Sequence, residues 1–275
     1  MHPEAIHNSF PTKPVTAMCL LIFAHRVSGA YPLVVAANRD EFHARPTARS
    51  DFWAEHTDLL AGKDLEQGGT WMGITRKGRF AAITNYRDPA RTAPAPRSRG
   101  ELPLQYLTGR QGPRDYLQAV AARAEEYAGF NLLLGNGHEL WYFTNSVPEA
   151  ERAPRCLPPG IYGLSNAQLD TPWPKVTLGK KHLQALLDNG PLTHDALAAV
   201  VGDLQLAQPD ALHPHGLASE MDLLLSAQFI VTDLYGTRSS TTLTIGSDGG
   251  ASWRELSFSA RGEVESAQEM DFHLD

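Results

Sequence analysis

The feature that most restricts how this chain folds is a pair of aliphatic runs, residues 19–25 (CLLIFAH) and 32–38 (PLVVAAN), joined by the turn-forming RVSGAY. Runs this short, separated by a Ser-Gly turn signal, predict two antiparallel strands. Their apolar character is continuous and does not alternate, so both faces of the hairpin need cover. Such a hairpin belongs in a layered molecule.

Two further hairpins follow. GTWMGIT and GRFAAITN flank Arg76-Lys77-Gly78, and FNLLLGNGHELWYF turns at Asn136-Gly137, the strongest short-range hairpin signal. Strands are also expected at 160–165, 240–246 and 252–259. Helices are expected in ELPLQYLTG and GPRDYLQAVAARAEEY, in PWPKVTLGKKHLQALLDNG ending at an Asn-Gly cap, in THDALAAVVGDL behind a Thr N-cap, and in SEMDLLLSAQFI. Segment 86–100 (YRDPARTAPAPRSRG) has no core-forming pattern and reads as a surface loop. No repeat or linker divides the chain. The fold class is α+β: antiparallel sheets face each other, with helices outside, in one domain over 18–275.

The chain totals exclude several functions. A net charge of −7 argues against nucleic acid as the main partner. The apolar stretch from Cys19 to Ala24 is far too short to span a bilayer. Two cysteines, Cys19 and Cys156, make no disulfide framework and suit a reducing compartment, so a cytoplasmic location is expected. Residues 1–17 fit neither a secretory signal nor a transit peptide. They are expected to be a disordered extension or a mis-assigned start, with translation beginning at Met18.

Register concentrates chemistry at one end of the first hairpin. With the turn centred on Ser28-Gly29-Ala30, partners sum to about 58 in residue number. Cys19 then lies opposite Arg39, with Asn38 and Asp40 beside it. If Met18 is removed, the α-amino group of Cys19, with a pKa of about 7.7–8.0, can act as base for its own thiol. Arg39 favours the thiolate and Asp40 orients the ammonium. The competing reading is a buried cysteine serving only as a small hydrophobe.

Other residues remain open between site and scaffold. Asn85 and Arg87 in TNYRDP end the second hairpin near Gly69 and Thr70, as ligand contacts or as an Asx turn with a solvated arginine. Trp71 and Trp173 are core or pocket wall. His213 and His215 lack a partnering His/Cys spacing, so no metal is expected, and no cofactor either. The arginines of 86–100 would suit an anionic substrate end if that loop bordered the pocket.

MCLLIF, AANRDEF, GGTWMGIT, TNYRDP, SRGELP, GFNLLLGN, YGLSNAQLDTPWPKV and YGTRSSTTLTI occur in this order from Met18 to about Ile245. Together they resemble the NRDE, or transport and Golgi organisation two, family, whose members begin Met-Cys. The family is similar to the amino-terminal nucleophile hydrolases, particularly the penicillin V acylase and bile-salt hydrolase group. The resemblance implies a four-layer α-β-β-α sandwich. By motif it implies Cys19 as nucleophile, Arg39 and Asp40 as activators, Asn166 as oxyanion donor and Arg238 as a second arginine. Asn131 is open to serving the oxyanion in place of Asn166, or to being a buried amide bonded to backbone. Asn38, Asn85, Arg87, Asn131 and Trp71 are the expected substrate contacts. The implied reaction is hydrolysis of a linear non-peptide amide through an acyl-enzyme. The alternative is a carrier for an apolar ligand such as haem or an acyl conjugate, since animal members are linked to secretory organisation, lipid metabolism and haem handling. Either way the expected partner is a small molecule.

Overall fold

The computed structural model describes residues 18–87, 95–136 and 138–275. The extension expected over 1–17 and the turn residue Gly137 lie outside them. In chain order the strands and helices are β1 (Cys19–His25), β2 (Leu33–Phe42), β3 (Thr47–Trp53), β4 (His56–Asp64), β5 (Met72–Thr75) and β6 (Phe80–Asn85), then α1 (Glu101–Thr108) and α2 (Pro113–Ala121). There follow β7 (Phe130–Gly135), β8 (Leu140–Thr144), β9 (Arg155–Cys156), β10 (Gly160–Leu164), α3 (Pro174–Asn189), α4 (His194–Ala199), α5 (Pro209–Leu212) and α6 (Glu220–Leu224). The chain closes on β11 (Tyr235–Ile245), β12 (Gly250–Phe258) and β13 (Val264–His273).

These strands form two antiparallel sheets, ordered β10-β1-β2-β11-β12-β13 and β3-β4-β5-β6-β7-β8-β9. Helices α3 and α4 cover the first sheet, and α1 and α2 cover the second. The result is the four-layer α-β-β-α sandwich. The continuous apolar runs explain it directly. Leu21, Phe23, Val35 and Ala37 face the core between the sheets, while Leu20, Ile22, Val34 and Ala36 face the helical layer. One run therefore supplies two cores by simple alternation.

Three expectations need correction. Strand β2 runs through Asn38–Phe42 and does not stop at 38, because β11 pairs along its whole length from Tyr235↔Phe42 to Ile245↔Leu33. Strands β3, β4 and β13 were not expected. Strands β3 and β13 are polar edge strands, whose identity comes from a neighbour's ladder more than from apolar periodicity. Of the loop expected over 86–100, residues 88–94 lie outside the described residues, and Ser98 to Gly100 lead into α1 half-buried, less exposed than a plain surface loop. Elsewhere agreement is close. Thr193 caps α4 by accepting the Ala196 N–H, and Pro174 opens α3.

Candidate active site

The β1–β2 register pairs Cys19 with Arg39 and Leu20 with Asn38, the pairing expected from the turn. Pleat alternation then separates the polar cluster. Cys19 and Arg39 face the space between the sheets, whereas Asn38 and Asp40 turn toward the helical layer. At this end the inter-sheet core gives way to a cavity of about 520 Å³, bordered by Cys19, Arg39, Trp71, Asn85, Arg99 and Arg238 among others.

The backbone around Cys19 is held on every side. Its N–H donates to Asn166 Oδ1 at 3.3 Å, and its carbonyl accepts from Ser165 Oγ at 2.8 Å. Asn166 is itself fixed: Nδ2 donates to the Asn85 carbonyl at 2.9 Å, and its own carbonyl accepts the Arg87 N–H at 2.8 Å. These residues meet because β10 pairs with β1, and extending that register carries Ser165 and Asn166 alongside Cys19. The preceding residue is equally tied. The Met18 N–H donates to Tyr235 Oη at 2.5 Å, its carbonyl accepts the Asp40 N–H at 3.0 Å, and its side chain is 3% exposed.

Electrostatics set the resting state. Burial pushes the Cys19 thiol up to about 12, Asp40 raises it further, and Arg39 opposes both. With Met18 attached, the thiol is therefore protonated near neutrality. Burial also raises the Asp40 carboxyl to about 6, against the pull of Lys175, the Thr237 hydrogen bond and Arg39. Thr237 Oγ1 donates to Asp40 Oδ1 at 2.7 Å, while buried Oδ2 has no hydrogen-bond partner among the described residues.

The expected residues divide into groups. Cys19, Arg39, Asp40, Asn85, Trp71 and Arg238 border the cavity. Arg238 donates to the carbonyls of Phe42, His43 and Arg45, so it also pins the chain leaving β2. Asn166 sits behind Cys19. Asn38, Asn131 and Arg87 do not border the cavity. Asn38 donates to the Val201 and Gln228 carbonyls. Asn131 donates to Thr84 Oγ1 and the Ala167 carbonyl and accepts from Tyr142 Oη. Arg87 pairs with Asp222. Each of these polar groups ties one layer to another.

Two residues, Lys175 and Tyr235, escaped the sequence reading. Lys175 is 3% exposed in the first turn of α3, donates to the Leu225 carbonyl at 3.0 Å and feels Asp40 and Cys19. A cation there opposes the helix dipole, which was its one sequence signal. Tyr235 gave none beyond its place in a motif, whereas Arg99, one of the 86–100 arginines, does border the cavity. His213 and His215 form a one-turn helix whose second histidine is only half-buried.

Two facing antiparallel sheets between helical layers, with Cys19 and Arg39 at an inter-sheet cavity, define the class: a four-layer α-β-β-α sandwich with a candidate site at one end of its first hairpin. Within that class the chain belongs to the Transport and Golgi organisation 2 family, whose model matches residues 18–260. The Transport and Golgi organization protein 2 homolog of Bos taurus is 39% identical over 260 residues, 87% of this chain and 93% of that protein. The Homo sapiens homolog is 37% identical over 261 residues, with the same coverage of 87% and 93%. Among solved structures, penicillin V acylase from Agrobacterium tumefaciens aligns with a TM-score of 0.40 at 10% identity over 92% of this chain and 91% of that one. A mutant conjugated bile acid hydrolase from Clostridium perfringens aligns at 0.45 and 10% identity, covering 93% and 92%.

Proposed function

We propose that the protein, once it begins at Cys19, hydrolyses a linear non-peptide amide through a Cys19 thioester. The observation that carries this reading is the buried Asp40 Oδ2, which lacks a partner while the Asp40 N–H holds the residue preceding Cys19. A buried carboxylate oxygen left unbonded is costly. An ammonium at the Cys19 nitrogen would supply the missing donor, and Lys175 adds a second positive field.

In the reaction the neutral α-amine takes the thiol proton, and the thiolate attacks the amide carbonyl carbon. Negative charge develops on the carbonyl oxygen. Asn85, which borders the cavity, and Asn166, behind Cys19, are the amides assigned to stabilise it. The C–N bond breaks and the leaving amine takes its proton from the ammonium, which leaves a thioester. Water then adds to the thioester, passing its proton to the α-amine. The C–S bond breaks, the carboxylic acid leaves and the thiol is restored. Arg39 stabilises the thiolate between steps.

The cavity lining, rich in arginine and carboxylate, supports this reading over carriage of an apolar ligand. The test is a panel of N-acyl amides with protein beginning at Cys19 and with its Cys19→Ser variant. Turnover with a mass shift of one acyl group on Cys19 is expected. Equal turnover by the serine variant, or none by the trimmed protein, would sink the proposal.

A further inference from the structure

We infer that the cavity beside Cys19 binds an anionic group on its ligand, and that Arg99 is the residue that holds it. The word substrate rests on the hydrolase reading; the binding of an anion does not.

Arg99 borders the cavity between Ser98 and Gly100, within the electrostatic reach of Cys19, Glu41 and Arg45. Burial disfavours its charge. Among the described residues its one hydrogen bond runs from Nη1 to the Gly129 carbonyl at 2.9 Å, and Glu41 favours its charge only from a distance. No carboxylate pairs with it among the described residues. A half-buried guanidinium without a paired counter-ion is only partly compensated for the water it loses.

Arg49 and Glu265 also border the cavity but are exposed to solvent, whereas its less exposed charges are engaged. Arg45 pairs with Asp64 at 2.7 Å and Glu66 at 3.2 Å, and Lys63 pairs with Glu55. Glu41 accepts its neighbour's Phe42 N–H and lies 3.7 Å from both Arg39 and Arg45. Glu255 accepts the Ser50 N–H at 2.7 Å, and burial favours its neutral form. Arg238 is spent on backbone carbonyls. Arg99 is thus the half-buried cation of this lining that has no ion pair among the described residues.

Its placement is also fixed in advance. A Cβ on Gly69 would stand 2.5 Å from the backbone of Gly100, so the glycine at 69 lets the chains cross in contact. The Thr70 N–H donates to the Gly100 carbonyl at 3.1 Å, and the Leu102 N–H to that of Arg99 at 3.1 Å. The guanidinium stands on a stiff platform, and its planar fork suits a carboxylate, sulfonate or phosphate. A cavity of about 520 Å³ leaves room for an amide bond at Cys19 together with such a group.

The test compares alkylation of Cys19 by iodoacetate and iodoacetamide, on a Cys156→Ser background, in the full chain and in protein beginning at Cys19. The rate ratio, taken relative to free cysteine, cancels the thiolate fraction and reads the pull on a carboxylate. We expect the anionic reagent to be favoured by about tenfold or more. Arg99→Gln should bring the ratio to the free-thiol value, and Arg99→Lys should keep most of it. Inorganic phosphate and acetate, added at matched ionic strength, should each lower the ratio, and the stronger competitor identifies the phosphate or carboxylate class. This arm decides the matter even if Arg99→Gln does not fold. A ratio equal to that of free cysteine, a folded Arg99→Gln with an unchanged ratio, or a raised ratio that neither anion lowers would overturn the inference. A raised ratio without amide turnover overturns the hydrolase reading alone, and turnover with a flat ratio overturns the anion site alone.

Discussion

At the scale of single residues, the site is governed by what burial does to charge. With Met18 attached, the Cys19 thiol lies near pKa 12, first because it is desolvated and second because Asp40 is close. Its alkylation by iodoacetamide should rise about tenfold per pH unit between pH 7 and 10, in proportion to the thiolate fraction. In protein beginning at Cys19 the rise should level off at least one unit lower, and identical profiles would remove the case for activation. Asp40 gives a second measurement. Its folded pKa of about 6 exceeds the ordinary 3.8, so the folded state binds the proton more tightly. Stability from this group is then greatest below about pH 4, falls as pH rises toward 6 and stays low above it. Asp40→Asn should stabilise the full chain at pH 7.5 by roughly 1–3 kcal/mol and flatten the dependence between pH 4 and 6, and the same change should abolish turnover in protein beginning at Cys19. Denaturant unfolding at several pH values checks this. Lys175→Met should raise the Asp40 pKa further and shift the acid limb of any pH–rate profile upward.

At the scale of elements, register explains why so much of the site was legible. A Ser-Gly turn between two aliphatic runs fixes Cys19 against Arg39, because a slip of one residue would send every buried side chain to the other face. The same logic placed Asn85 near Gly69. What escaped was set by partners distant in the chain. The strand TARSDFW carries Arg49 and Asp51 and becomes β3 only by pairing with β4. Lys175 meets Asp40 only because α3 packs across β1. Asn131 and Asn38 looked like site residues because a polar group on a buried strand must bond to something, and sequence does not say whether that is ligand or backbone. The crossing of β5's approach with the start of α1 yields a prediction of its own. Gly69→Ala forces backbone from backbone and should cost about 1–3 kcal/mol. It should also shrink the iodoacetate preference, since Arg99 rides on the displaced segment. A variant of unchanged stability would show that the contact is soft.

At the scale of the whole molecule, the two sheets share one core. Phe23, Val35, Leu133 and Trp253 belong to a single buried cluster between them. The sheets are further joined where Trp253 Nε1 donates to Ser50 Oγ at 3.0 Å and Glu255 accepts the Ser50 N–H. Neither sheet buries its inner face alone, so unfolding of residues 18–275 should be one transition by fluorescence and by circular dichroism. Phe23→Ala should lower its midpoint by an amount equivalent to about 3–5 kcal/mol without changing its slope. Two separate transitions would divide the chain into independent units. The same closure bears on Met18. Its side chain lies among Trp173, Leu217 and Leu225, and its amide is bonded to Tyr235 beneath the helical layer. An aminopeptidase meeting the finished fold would find the Met18–Cys19 bond out of reach. On the proposed reading, trimming would have to come while the nascent segment is still emerging from the ribosome and β11 has not yet been synthesised. A copy that folded with Met18 in place would then keep it until it unfolded.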